Sequence, residues 1–156
     1  MLMNTGDKAI QSEHKLVTTI AWKIGDQVTY ALEGSVFIGG AVVQWLRDGL
    51  GLIKKSNDVV RLAEKVSDTD GAYVVPAFAG LGAPHWDSRA RGSIFGITRG
   101  TTDAHIARAC LESIPFQTSD VQDAMKKHPG QSLKEPRVGG GVTRKETSVT
   151  FSASLP

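Results

Sequence analysis

Ile106, Cys110, Ile114, Gln117, Val121 and Met125 follow one another at steps of 4, 4, 3, 4 and 4 residues. That spacing predicts one long helix opening at Asp103, with a mostly apolar inner face. A stripe of that length has to lie on other elements, so the rest of the chain must supply a layer for it. Pro115 falls inside the run. A proline there removes one backbone hydrogen bond and crowds the preceding turn at a cost of about 3 kcal/mol, so a kink or a break is expected at that point.

The remaining pattern supplies the layer. Leu16 to Trp22 and Gln27 to Leu32 are rich in Val, Thr, Ile and Tyr and flank Lys23-Ile24-Gly25-Asp26, which predicts a β-hairpin with a glycine turn. From Ser35 to Leu50, Val36, Phe37, Ala41, Val42, Trp45 and Leu46 recur at helical steps, and Gly49-Leu50-Gly51 closes the run. A shorter helix is expected from Asn57 to Val66, with Ser56 as its N-cap. Tyr73-Val74-Val75-Pro76 reads as a short buried strand, Ala77 to Arg91 as a packed loop and Ser93 to Thr98 as a strand. Pro136-Arg137-Val138 is a candidate last strand running into Gly139-Gly140-Gly141, and the Ser/Thr-rich stretch from Thr143 to Pro156 has no helical period. The succession predicts an α/β or α+β domain with strands of mixed direction.

At 156 residues the chain suits one domain. Eighteen Lys and Arg against sixteen Asp and Glu leave a net charge of +2 with no basic cluster, so a nucleic-acid partner is not expected. The single cysteine, Cys110, sits among apolar neighbours and reads as a small buried thiol, in keeping with a reducing cytoplasm. No apolar run is long enough for a membrane span, and Met1-Leu2-Met3-Asn4 carries no export signal. A soluble chain in the cytoplasm, without a membrane partner, is expected.

Few residues offer chemistry. Two glycines, Gly39 and Gly40, inside a helical run would cost up to about 2 kcal/mol relative to alanine, so something should need the close approach they allow. Two readings stand: helix-on-sheet packing, or a flat ligand against bare backbone with the donor and acceptor of Gln44 one turn along. Gly139-Gly140-Gly141 after a strand could offer backbone N–H groups to phosphate oxygens, or could be a plain flexible turn. The histidines, His14, His85, His105 and His128, are spread singly without metal-ligand spacing. His105 reads as a capping or packing residue, Asp87 as an acceptor for its own loop ahead of a metal ligand, and Glu112 as either a buried hydrogen bond or a solvated pair.

Together the segments Leu2-Met3-Asn4-Thr5-Gly6, Tyr30-Ala31-Leu32-Glu33-Gly34-Ser35, Gln44-Trp45-Leu46-Arg47-Asp48, Val75 to Asp87 and Arg91 to Gly100 resemble the FGGY carbohydrate kinases. The run from Gly96 through His105-Ile106 to Glu112 is similar to that family's second signature, and the block from Pro76 to Pro84 resembles the members that phosphorylate glycerol. The resemblance covers about residues 2–142. It implies the carboxy-terminal, ATP-binding half of an α/β, actin-like (ribonuclease-H-like) ATPase fold, with residues 1–142 as the domain and 143–156 as a tail unlike the family. It implies that Gly40 and Gln44 border a nucleotide site approached from the other side by Gly141, with ATP and magnesium as cofactors.

Two positions depart from the family pattern. Gly139 stands where the family has an aspartate, and Lys145 stands where it has the asparagine that contacts adenine. A change of reading frame near Thr143 would account for the foreign tail. The resemblance also places the phosphate loop, the glycerol-binding residues and the general base in a segment before Met1, so this chain holds no catalytic residue and glycerol binds only if that half is supplied. The expectation is a kinase domain with little activity by itself, nucleotide as its partner and a homo-oligomer among its allowed assemblies. A non-catalytic nucleotide-binding or interaction module, and a degraded gene product, stand as alternatives.

Overall fold

A computed structural model describes residues 1–128 and Arg137. Three antiparallel strands open the chain: β1 (Leu2–Gly6), β2 (Val17–Ile24) and β3 (Gln27–Glu33), in the spatial order β1-β3-β2. The expected hairpin is present, and its strands extend to an Ile24–Gln27 pair closed by Gly25-Asp26. Gly25 has φ +60°, a conformation open to glycine at no steric cost, and it takes the first of the two turn positions. The β1 strand carries no sequence signal of its own, because Asn4, Thr5 and Gly6 break its apolar alternation. It forms through its register with β3, Met3 opposite Leu32 and Asn4 opposite Ala31.

The helix expected from Ser35 to Leu50 is shorter: α1 spans Ala41–Asp48. Residues 35–40 are irregular, and Gly40 is the N-cap, so Gly39 and Gly40 lie before the helix and its interior penalty does not apply to them. Val36 and Phe37, which mimicked a helical stripe, do other work. Val36 packs on the core under the sheet, and Phe37 meets Trp86 edge to face at 6.2 Å. The next helix, α2 (Asp58–Ala63), begins after Asn57, while Ser56 instead accepts a hydrogen bond from Arg47 at 3.2 Å. The two short strands β4 (Tyr73–Val75) and β5 (Ser93–Phe95) pair antiparallel across the packed loop, and β5 stops before Gly96. Among the described residues every strand pairing is antiparallel.

The long helix, α3 (Asp103–Lys126), runs unbroken through Pro115. It lies across two cores. Its first half supplies Ala104, Ala107, Ala109 and Cys110 to a cluster with Val42, Leu46, Val59, Leu62 and Val74. Its last turns supply Val121, Ala124 and Met125 to a cluster with Met3, Leu16 and Leu32 of the sheet side. Packing on both sides of Pro115, itself buried, opposes the expected break. Side chains also serve carbonyls on the turns around it: Ser113 Oγ donates to Cys110 O at 2.7 Å and Thr118 Oγ1 to Ile114 O at 3.0 Å. No helix among the described residues is long and apolar enough to cross a membrane.

Candidate functional site

The residue types that could meet a ligand gather around α1. Val42 and Leu46 are fully buried, so Gln44, half a turn from each, points outward. Gly40 is one turn before Gln44 and lies on the same face. The Gly40 carbonyl accepts the Val43 and Gln44 amides at 3.1 and 3.4 Å, and a methyl group placed on Gly39 would meet nothing within 4 Å. The Gln44 side chain is exposed and makes no hydrogen bond among the described residues. The result is a ledge of bare backbone with an uncommitted amide at its edge.

Two neighbours hold that ledge in place. Trp45 stacks at a tilt on Phe78 of the packed loop, ring centres 5.0 Å apart. Gln117, from the middle of α3, donates its Nε2–H to the Ile38 carbonyl at 3.2 Å, just ahead of the two glycines. At the far end of α1 the Arg47 guanidinium beside Asp48 holds that carboxyl below the usual range. Of the four residues that the resemblance placed at the nucleotide, Gly40 and Gln44 are brought together in this way. Gly141 and Lys145 lie outside the described residues, as do Gly139, the expected strand at 136–138 apart from Arg137, and the tail 143–156.

The other singled-out residues have structural partners. Asp87 Oδ1 accepts the Arg89 and Ala90 amides at 2.8 and 3.2 Å, closing its own loop. His105 Nδ1 accepts the Thr102 amide at 3.0 Å at the start of α3, as a capping residue should. Glu112 forms a largely buried pair with Arg108 at 2.9 Å, and Arg108 also donates to Val66 O at 3.0 Å, tying α3 to the end of α2. Burial pushes the Cys110 thiol up to about 12.

A cleft of about 270 Å³ escaped the sequence reading. It opens between β4, the loop at 81–85 and α3, with Val74, Pro76, Leu81 and Phe116 as apolar walls. Its rim carries the pair His85–Asp120, Nε2 to Oδ2 3.2 Å. Gly40 and Gln44 do not line it, so the cleft and the ledge are separate features that share Gln117.

An antiparallel three-stranded sheet, a long helix across two cores and a glycine ledge before a short helix agree with one family. A sequence profile for the FGGY family of carbohydrate kinases, C-terminal domain, matches residues 1–155, and the chain belongs to that family. Among its relatives it is 62% identical over 155 residues to a glycerol kinase of Koribacter versatilis (strain Ellin345), covering 99% of this chain and 31% of that protein. It is 60% identical to a glycerol kinase of Paraburkholderia phytofirmans (strain DSM 17436 / LMG 22146 / PsJN) over the same shares.

Solved structures agree. The Plasmodium falciparum glycerol kinase with ADP superposes with a TM-score of 0.86 at 39% identity, over 97% of this chain and 30% of that one. A ligand-bound xylulose kinase from Lactobacillus acidophilus follows at 0.68 and 27% identity, over 85% and 27%. The α/β, actin-like ATPase fold implied by the resemblance is thus the fold of the chain. The chain spans 31% of the length of the curated relatives named here.

Proposed function

We propose that this chain is the nucleotide-side domain of a glycerol kinase, and that Gly40, Gln44, Gly141 and Lys145 border its ATP site. The supporting observation is the ledge at α1: bare backbone at Gly40 beside an exposed Gln44 amide without a partner among the described residues. A flat heterocycle can lie against a backbone that carries no Cβ, and an amide offers both a donor and an acceptor to its edge. Bound ATP would supply the phosphoryl group to be moved to a terminal hydroxyl of glycerol. Gly40 admits the base, Gln44 orients it, and Gly141 gives the close approach from the opposite side.

Lys145 offers only donors where the family has an asparagine, and Gly139 withdraws a carboxylate from the phosphate side, so nucleotide binding is weaker than in the family at large. Magnesium belongs to the same reading by resemblance. Among the described residues no group of three or more His, Cys, Asp or Glu could hold it. Phosphoryl transfer needs metal, phosphate cradle and base in register. The base and the glycerol pocket come from the part of the relatives that this chain does not span, so the chain by itself is expected to have little kinase activity. The cytoplasm is the compartment this reading implies.

Calorimetry with ATP and magnesium, comparing the chain with Gln44→Ala, tests the proposal. Saturable binding weakened about tenfold in the variant is the expected result, the scale of a lost polar contact or two. Equal binding in both proteins, or no binding by a folded chain, would overturn the assignment of Gln44.

A second reading, an interaction module that packs on another protein, has one observation in its favour. By register Leu2, Val17, Trp22 and Ile24 share one face of the sheet, and they are 64, 46, 48 and 73% exposed. An apolar face of that kind favours association, including a homo-oligomer. A clean monomer by size exclusion would count against it.

A further inference from the structure

The connection between β1 and β2 is tied to the end of α3 by a hydrogen-bond arrangement with no spare capacity. His128, 5% exposed, follows the last turn of α3. Its Nδ1 lies 3.1 Å from the Ala124 carbonyl, which can only accept, so Nδ1 carries the proton. Its Nε2 lies 3.0 Å from Ser12 Oγ. Ser12 Oγ in turn accepts the backbone N–H groups of His14 and Leu16, each at 3.1 Å. Both lone pairs of the hydroxyl are therefore taken, and its own proton points to His128 Nε2.

Neutral His128 in the Nδ1–H form satisfies every group in this arrangement. The imidazolium does not. A proton on Nε2 would face an oxygen whose lone pairs are already held, so either His128 or one of the two backbone amides must give up its bond. We propose that Ser12 and His128 form a proton-sensitive latch, closed when His128 is neutral and released when it is protonated, which ties residues 7–16 to the C-terminal end of α3. The Ser12 hydroxyl is not a nucleophile here, because the amides that fix it occupy the electron pairs an attack would need.

Other titratable groups stand nearby. On the connecting segment His14 faces the ring edge to face at 5.0 Å, with Glu13 and Lys15 exposed beside it. On α3 Asp123 and Lys126 pair with each other at 3.0 Å on the surface, and Lys127 is the exposed C-cap. The sheet residues of that core, Met3 and Leu32, are apolar. His14 is therefore the rival sensor that a test must separate from His128. Release would also reach Trp86, whose indole N–H donates to the Lys15 carbonyl at 2.6 Å, between the two latched amides.

The test is an NMR titration of the ¹⁵N-labelled chain from about pH 8 to about pH 5.5, spanning the imidazole range. It follows the His128 ring and the His14 and Leu16 amides, with exchange protection normalised for intrinsic rates and far-UV circular dichroism as a control for global unfolding. The two amides should shift with the same midpoint as the His128 ring, and their protection should fall about tenfold with the helix signal unchanged. In His128→Gln, whose amide can donate to Ala124 O and accept from Ser12 but does not titrate, both amides should stay protected throughout. Amides indifferent to pH in the unaltered chain, or still titrating in His128→Gln, would overturn the latch. Should His128→Gln fail to fold, His14→Phe decides. Titration of the residue 14 and Leu16 amides that still follows the His128 ring supports the proposal, and its disappearance assigns the response to His14 and overturns it.

Discussion

Gln117 on α3 donates its Nε2–H both to Ser113 O on its own helix and to Ile38 O across the interface, each at 3.2 Å. One side chain thereby fixes the approach to Gly39-Gly40 relative to the long helix. Gln117→Leu keeps the shape and removes both donors. A lost bond of this kind is worth about 1 kcal/mol net, so the thermal midpoint should drop by a few degrees. ATP affinity in calorimetry should fall severalfold, although Gln117 does not touch the nucleotide in the proposed site. Unchanged affinity with a lowered midpoint would show that the ledge does not depend on this anchor.

Gly34 at the end of β3 lets the sheet close on α3. A methyl group there would stand 2.3 Å from Val121 Cγ1 and 3.2 Å from Leu16 Cδ2. Val121 is fully buried and β-branched, so it has little freedom to move aside. Gly34→Ala should cost roughly 1–3 kcal/mol by overpacking, read as a lower urea midpoint with an unchanged slope. The double variant Gly34→Ala/Val121→Ala should recover part of that loss, because the second change opens space at the clash. Failure to recover would place the strain elsewhere.

What the sequence disclosed follows the range of the interactions. The β2–β3 hairpin and α3 were legible because their signals are local: a glycine turn between β-rich runs, and one apolar period kept over many residues. The stretch 35–40 misled because Val36 and Phe37 fall at helical steps while packing on partners far along the chain. The β1 strand was invisible because its register comes wholly from β3. At the candidate site, the residues alone offered a flat ligand against Gly39-Gly40 with Gln44 one turn along as one of two readings, and the family resemblance narrowed this to Gly40, Gln44 and a nucleotide; the glycine ends the approach and the glutamine tops the outward face. The His14–His128 contact and the Ser12 latch join residues more than a hundred positions apart, which no spacing rule connects.

His105 caps α3 where the sequence allowed either capping or packing. Its Nδ1 accepts the Thr102 amide, one of the backbone donors that a helix start leaves without an intrahelical partner. His105→Ala should destabilise the chain by about 0.5–2 kcal/mol, with the loss confined to the first turn of α3. Hydrogen exchange would show it: faster exchange from Thr102 to Ile106, and little change at Val121 to Met125 in the second core. Uniform loss of protection along α3 would mean that the helix unfolds as one unit and that the cap controls all of it.

Cys110 gives a prediction with a definite sign. The thiol is fully buried, and desolvation of the thiolate raises its pKa from 9.0 to about 12. The fold therefore favours the neutral thiol. Between those values the unfolded chain has lost its proton while the folded chain keeps it, so stability falls as pH rises. That contribution is complete below 9.0 and is progressively lost on approach to about 12. Two measurements follow. Urea midpoints should decline above pH 9.0 in the unaltered chain, and the part of the decline due to this thiol should vanish in Cys110→Ala. Iodoacetamide at neutral pH should label the folded chain far more slowly than the chain in denaturant, since the thiolate is the nucleophile and is withheld by burial. Rapid labelling under native conditions would mean that the cluster around Val42 and Leu46 opens readily, and the core supporting α1 would have to be regarded as loose.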